Sequence, residues 1–178
     1  MKNDLPAPPR QKLVLIGNGM AGVRTLEELV AIAPDLYDIT VFGSEPHPNY
    51  NRILLSPVLA GEQTIEQIVL NPLEWYAEQG ITLHLGKTVT GIDRTRRVVT
   101  ADDGKGGQVQ AEYDRLLIAT GSNPFILPVP GKDLQGVIAY RDIADTQTMI
   151  DAATRYKHAV VIGGGLLGLE AEIGRAHV

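Results

Sequence analysis

Two stretches of the chain have the residue types and spacing to capture a phosphate. Leu13-Val14-Leu15-Ile16 runs into Gly17-Asn18-Gly19-Met20-Ala21-Gly22, and Ala159-Val160-Val161-Ile162 runs into Gly163-Gly164-Gly165-Leu166-Leu167-Gly168. Each is a G-x-G-x-x-G run that follows a strand pattern and opens a helical one. After the first copy, Val23, Leu26, Leu29, Val30 and Ala33 recur near the 3.6-residue helical period. The first glycine of such a run turns the chain off its strand. The second lets a pyrophosphate approach the backbone, and the third lets the helix pack closely on the strand. The helix N-terminus adds unpaired N–H groups and the positive end of its dipole. A single glycine-rich turn is weak evidence. The preceding strand, the following helix and the second copy together point to two dinucleotide sites.

No other residues have a convincing catalytic spacing. His47, His84, His158 and His177 have no ligand-like pattern and read as structural or surface groups. There is no Ser/His/Asp set and no carboxylate pair with a defensible geometry, so neither a catalytic side chain nor a metal site is expected. Trp75 and Tyr76 read as packing residues. Glu45 lies just past the second strand pattern, where a carboxylate can accept from both ribose hydroxyls. It sits further along than the roughly 20 residues of the usual fingerprint. Ser44 is the alternative at the ribose, and a solvated loop charge is the alternative for Glu45. Arg52 either neutralises phosphate or sits on the surface. Gly121, straight after a buried strand pattern, permits close backbone approach to a ligand.

The elements that must position these residues follow in order. Residues 1–12 are expected to be a flexible tail, residues 13–16 a strand and residues 21–33 a helix stopped by Pro34. Residues 37–42 form a second strand pattern, and residues 65–70 and 72–79 read as a short helical pair ended by Gly80. Residues 81–85 and 87–93 are extended. Residues 96–101 and 108–113 read as a hairpin about the Asp102-Asp103-Gly104-Lys105-Gly106-Gly107 turn. Residues 116–119 return as a buried strand, and residues 124–131 are a proline-rich linker candidate. Residues 136–140 read as a short strand and 142–156 as a helix. The pattern is α/β: a Rossmann-like parallel sheet with helices, a small antiparallel insertion, then the start of a second dinucleotide unit.

Bulk properties narrow the function. The chain has 178 residues, enough for one domain and part of a second, and 44% are hydrophobic, which supports a buried core. The net charge of −5, with no basic stripe, argues against a nucleic-acid or anionic-membrane surface. There is no cysteine, so no disulfide, thiolate zinc site, iron–sulfur ligand or dithiol couple arises from these residues. No signal peptide or membrane span is visible, and a cytoplasmic location is expected.

A family resemblance enters on these motifs. The two fingerprints, the Ala119-Thr120-Gly121 strand end and Gly168-Leu169-Glu170 resemble the two-dinucleotide-binding flavoprotein reductases, whose fold nests an NAD(P)H domain inside an FAD domain. Phe42 to His47, Tyr50-Asn51-Arg52-Ile53-Leu54-Leu55-Ser56, Leu59-Ala60-Gly61-Glu62, Asn71 to Tyr76 and Tyr140-Arg141-Asp142-Ile143 are similar to the N-terminal part of the large subunit of NAD(P)H-dependent assimilatory nitrite reductases. The resemblance implies an FAD site made of Gly17, Gly19, Met20, Ala21, Gly22, Ser44 or Glu45, Asn51, Arg52, the backbone of Val89, Ala119, Thr120, Gly121 and Arg141. It implies an NAD(P)H site made of Gly163, Gly165, Leu166, Leu167, Gly168 and Glu170. Pro57 stands where related ferredoxin reductases often carry a lysine, and Ser44 where some relatives carry an acidic residue.

The resemblance further implies electron flow from NAD(P)H through FAD towards iron–sulfur and sirohaem centres that reduce nitrite to ammonium. Those centres are expected only downstream of this chain, and a small subunit or redox partner is expected with them. The implied domains are an FAD-binding part at 13–150 and the truncated start of an NAD(P)H-binding domain at 151–171. Residues 172–178 are expected to be a non-native tail, because their sequence is what a common sequencing adapter encodes in one frame. By itself the chain is not expected to turn over substrate. Two alternatives stand beside this reading: an FAD-dependent NAD(P)H reductase of a ferredoxin or rubredoxin, and a non-catalytic dinucleotide-binding module.

Overall fold

A computed structural model of the chain describes residues 9–175. The elements run β1 (Gln11–Ile16), α1 (Met20–Ile32), β2 (Tyr37–Phe42), β3 (Asn49–Tyr50), α2 (Leu55–Leu59), β4 (Val69–Asn71), α3 (Leu73–Glu78), β5 (Thr82–His84), β6 (Thr88–Asp93), β7 (Val98–Asp102), β8 (Gln108–Glu112), β9 (Arg115–Ile118), α4 (Ile143–Ala153) and α5 (Leu166–Arg175). They fall into two compact units. The first comprises the chain up to Tyr50 together with Asn71–Gly121, and the second comprises Asn51–Leu70 together with the chain from Ser122 onward.

The first unit is built on a parallel four-stranded sheet of order β5-β2-β1-β9. Alternation along β1 decides what packs on each face. Leu13 and Leu15 point to the side of Leu26, Tyr76 and Ile81, with Ile39 and Val41 of β2. Val14 and Ile16 point the other way and meet Phe42, Val99 and Ala101. Helix α1 therefore covers one face, and the antiparallel β6-β7-β8 sheet covers the other. β1 is central because both its edges are paired: Ile16 registers with Phe42 on one side and Ile118 on the other. The chain leaves β1 towards β2 on one side and returns to β9 on the other, so the first fingerprint lies at a topological switch point.

Most sequence expectations hold in this unit. α1 ends at Ile32, ahead of Pro34. Gly80, with φ +66, follows α3, and its N–H bonds Ala77 O at 3.0 Å. The hairpin forms with Asp102 opposite Gln108. Its turn is tied by the Asp103 carboxylate, which accepts from the N–H groups of Lys105 and Gly107, both at 2.9 Å. β1 begins at Gln11, inside the expected tail, because Gln11 and Lys12 pair with Tyr37 and Asp38. The expected tail residues 1–8 lie outside the described residues.

In the second unit, α2 packs on α4 and α5. Leu55, Val58, Leu59, Ile143, Thr146 and Ala171 are buried there. Asp142 caps α4, its carboxylate accepting from Asp145 N–H at 2.9 Å. Three expectations need correction. Residues 65–70 are a single 3-10 turn, Glu66–Ile68, followed by β4, because Val69 leaves the helical region at ψ 127. Residues 136–140 form no strand. Residues 159–162 form no strand either, and Val160 and Ile162 are 87% and 74% exposed. Apolar β-branched residues create the pattern, but a strand exists only where a ladder partner lies alongside. α5 continues to Arg175, through the first four residues of the expected tail at 172–178; residues 176–178 lie outside the described residues.

Candidate functional site

The first fingerprint turn is shaped by backbone packing at its outer glycines and left open at its middle one. Gly17 has φ +108, and a Cβ there would stand 2.2 Å from Ala119 O and 2.6 Å from Ala119 C. A Cβ on Gly22 would stand 2.9 Å from Gly17 O and 3.1 Å from the Ala119 Cβ. Only glycine allows β1, the start of α1 and the end of β9 to approach so closely. Gly19 differs. Its φ of −91 suits any L residue, and a Cβ there would meet nothing within 4 Å. Packing does not require glycine at 19, and the space in front of its backbone is open.

The helix that follows is equipped for an anion. Gly19 is the N-cap of α1, no side chain caps it, and the first turn holds no acidic residue. Its first N–H groups are thus not satisfied by a capping side chain, the state in which a helix N-terminus receives phosphate. α4, with its Asp142 cap and Asp145 in the first turn, is built the other way.

The other expected FAD residues of the first unit follow β2 and β9, lie on β6 or open α1. Gly17 N–H donates to Phe42 O at 2.9 Å, and Ala119 N–H donates to Ile16 O at 2.8 Å, which puts the ends of β2 and β9 beside it. Ala119 and Thr120 therefore adjoin Gly17, and Gly121 follows them with φ +74. Ser44 is exposed and Glu45 half-buried just past β2. The Glu45 carboxylate accepts from the Tyr50 hydroxyl at 2.7 Å, and the Glu45 carbonyl accepts from Gly86 N–H at 3.0 Å. Val89 lies on β6 beside an irregularity in its pairing with β7, and its side chain packs against the Val14 face of the sheet. Met20 and Ala21 open α1.

The remaining expected residues belong to the second unit. The Asn51 carboxamide accepts from Ile53 N–H at 3.1 Å and caps a 3-10 turn. Arg52 donates to the carbonyl of Arg141 at 3.1 Å. The Arg141 guanidinium donates to the carbonyl and hydroxyl of Ser122, at 3.2 and 3.1 Å. The second fingerprint repeats the first only in part: a Cβ on Gly168 would stand 2.2 Å from Gly163 O and a Cβ on Gly165 would meet nothing within 4 Å, but Gly163, at φ +134, also faces nothing within 4 Å. Leu166 and Leu167 open α5, whose first turn holds no acidic residue. Glu170, one turn further, accepts from the Ser56 hydroxyl at 2.8 Å, and Ser56 also bonds the Tyr140 hydroxyl at 3.0 Å.

Several polar residues at these sites carry no sequence signal. Asn18, inside the first fingerprint, accepts from the Tyr76 hydroxyl at 2.8 Å. Buried Asn49 donates to Asn71 at 2.7 Å, and Asn71 donates to Glu27 of α1 at 2.7 Å. That bond with Asn71, ahead of the Arg24 pairing, holds the Glu27 carboxyl below its ordinary range. Asparagines normally mark turns, so their burial is invisible in the sequence. Of the four histidines, His84 stacks on Phe42 at 5.0 Å, and burial, then Lys87, keeps its imidazole below the ordinary value. His47 offers its carbonyl to Asn18 at 3.4 Å. His177 lies outside the described residues.

A parallel sheet with a glycine fingerprint at its switch point, and a second glycine fingerprint opening α5, have the build of a dinucleotide-binding protein. The chain matches the pyridine nucleotide-disulphide oxidoreductase family over residues 11–173 and belongs to it. It is 54% identical over 165 residues to a nitrite reductase [NAD(P)H] of Bacillus subtilis, covering 93% of this chain and 20% of that protein. It is 49% identical over 169 residues to the assimilatory nitrate reductase electron transfer subunit of the same organism, covering 95% of this chain and 21% of that one. Among solved structures, NADH:rubredoxin oxidoreductase from Clostridium acetobutylicum superimposes with a TM-score of 0.80 at 27% identity, over 94% of this chain and 42% of that one. The chain thus spans about a fifth of the length of these two curated relatives. Having no cysteine, it holds no dithiol of the kind the family is named for.

Proposed function

We propose that this chain is the FAD- and NAD(P)H-binding module of a nitrite reductase large subunit, passing electrons from NAD(P)H through FAD towards iron–sulfur and sirohaem centres. The observation that carries the dinucleotide reading is the division of labour at the first fingerprint: Gly17 and Gly22 fixed by backbone packing, and Gly19 facing empty space. Likeness to the nitrite reductase of Bacillus subtilis supports the branch. Bound FAD would supply the redox chemistry, taking an electron pair from the nicotinamide and passing it on singly.

The side chains and backbone bind and orient. Gly17, Gly19, Met20, Ala21 and Gly22 hold the FAD pyrophosphate against the α1 N-terminus. Glu45, its carboxylate steadied by Tyr50, or Ser44 meets the ribose, and the Val89 backbone meets the adenine. Ala119, Thr120 and Gly121 line the same cofactor, with Asn51, Arg52 and Arg141 as further contacts. Gly163, Gly165, Leu166, Leu167, Gly168 and Glu170 hold NAD(P)H. The module divides as an FAD part at 13–150 and the start of an NAD(P)H part from 151, works in the cytoplasm, and hands electrons to a small subunit or redox partner.

The test is anaerobic reduction of the purified full-length protein. Bound FAD that is bleached by NAD(P)H and recoloured by nitrite is the expected result. A protein that takes no flavin refutes the reading. Likeness to the NADH:rubredoxin oxidoreductase supports a second reading, a reductase of a small iron–sulfur protein. Flavin that is recoloured by ferredoxin or rubredoxin and not by nitrite would establish it.

A further inference from the structure

The middle of the first fingerprint is anchored from behind. Asn18 sits between Gly17 and Gly19, and its carboxamide oxygen accepts from the Tyr76 hydroxyl at 2.8 Å. Its Nδ2 donates to the carbonyl of His47 at 3.4 Å. A Cβ on Gly43 would stand 2.9 Å from the Asn18 Cβ, so the end of β2 also presses on this side chain. Tyr76 belongs to α3 and is 2% exposed. Burial pushes its phenol up to about 12, which keeps the proton, and so the donor, in place at physiological pH.

The anchor continues into the helix. The backbone of Asn49 lies beside the Tyr76 phenol and favours its charged form, against the larger effect of burial. The Asn49 carboxamide donates to Asn71, and Asn71 donates to Glu27, each at 2.7 Å. Asn49 and Asn71 are 2% and 3% exposed. Glu27 lies two turns into α1, the helix that the fingerprint opens. The Tyr76 hydroxyl therefore grips the turn at Asn18, and the Asn49–Asn71 pair grips its helix at Glu27. A buried hydroxyl or amide is retained when its bonds hold something in place, because each unmade bond there is costly. What these bonds hold is the backbone around Gly19, which has open space in front of it.

We propose that Asn18 and Tyr76 are positioning residues for the first fingerprint: the Tyr76 hydroxyl locks the Asn18 carboxamide, and with it the turn that receives the FAD pyrophosphate. This rests on the reading that the first fingerprint takes FAD. The contribution is preorganisation, with the turn ordered before the ligand arrives.

The experiment titrates FAD into the apo form of the full chain and follows flavin fluorescence, with phosphorus NMR of the bound pyrophosphate. Tyr76→Phe should weaken FAD by roughly three- to tenfold, the worth of one net hydrogen bond. Asn18→Ala should do the same, and the double variant should be no worse than the weaker single one, because both remove the same link. The pyrophosphate resonances should shift in each variant while the flavin absorbance stays unchanged. A general loosening of α3 would lower the melting temperature and leave those resonances in place. Tyr76→Phe with wild-type affinity and unshifted resonances overturns the proposal, as does a double variant whose losses multiply. If Tyr76→Phe fails to fold, Asn18→Ala decides by the same two readouts. A wild-type protein that binds no FAD sinks the cofactor reading instead.

Discussion

The two kinds of glycine in the first fingerprint should separate cleanly under alanine substitution. In Gly17→Ala the new methyl would stand 2.2 Å from Ala119 O, with φ at +108. Relief requires the end of β9 to retreat by about 1 Å, which breaks the 2.8 Å bond from Ala119 N–H to Ile16 O. The left-handed backbone costs about 1–2 kcal/mol, overpacking about 1–3 kcal/mol and the lost bond about 1 kcal/mol. The sum, roughly 3–6 kcal/mol, is a large part of the ~5–15 kcal/mol that holds a domain together. Gly19→Ala meets nothing within 4 Å at φ −91. Its stability should stay within about 0.5 kcal/mol of wild type. The same methyl, however, fills the space in front of the α1 N-terminus. Losing one charge-assisted bond there, about 1.5–3 kcal/mol, weakens FAD by roughly 10- to 150-fold. Urea unfolding of the apo protein and FAD titration read the two effects separately. Equal destabilisation by both substitutions, or unchanged FAD affinity in Gly19→Ala, would refute the reasoning.

Three further outcomes are expected. The Tyr76 phenol is held at about 12 against an ordinary 10, chiefly by burial. The folded state therefore favours the neutral form, and stability falls as pH rises from about 10 to about 12. Tyr76→Phe should remove that fall in thermal melts across the same range. Asp103 is held at about 2 against an ordinary 3.8, first by the Lys87 hydrogen bond and then by the Lys105 and Gly107 N–H groups. Its contribution is present above about pH 4 and lost as pH falls towards 2. Melts of Asp103→Asn should show a shallower loss there, and an identical slope would discount the turn. Asn71→Ala strands the carboxamide of buried Asn49 and frees Glu27. It should cost about 1–3 kcal/mol in urea unfolding, and a neutral result would show that the network bears no load.

The sequence was most legible where one physical rule acted locally. The four apolar residues ahead of Gly17, the 3.6 period after it and the acid–glycine turn at residues 102–107 each specify their own geometry, and each formed as expected. It was misleading where a pattern needed a distant partner. Residues 159–162 have the composition of a strand and do not form one, because a ladder requires a neighbour that composition cannot supply. Glu66–Ile68 and β4 divided a stretch that reads as helical, and residues 136–140 stayed irregular.

By itself the sequence determined that the chain is α/β, where its two glycine-rich turns lie and that it contains no thiol chemistry, since these follow from residue type and local spacing. Only the tertiary structure decided which glycines packing requires and which face open space. That distinction depends on what stands opposite each absent Cβ: Ala119 at Gly17, and open space at Gly19. It also decided that Tyr76 bonds Asn18 and that Asn49, Asn71 and Glu27 are linked in turn, joining residues far apart in the chain through bonds of 2.7–2.8 Å. Hydrogen bonds act only at contact, and contact between distant residues is set by how the sheet and helices pack.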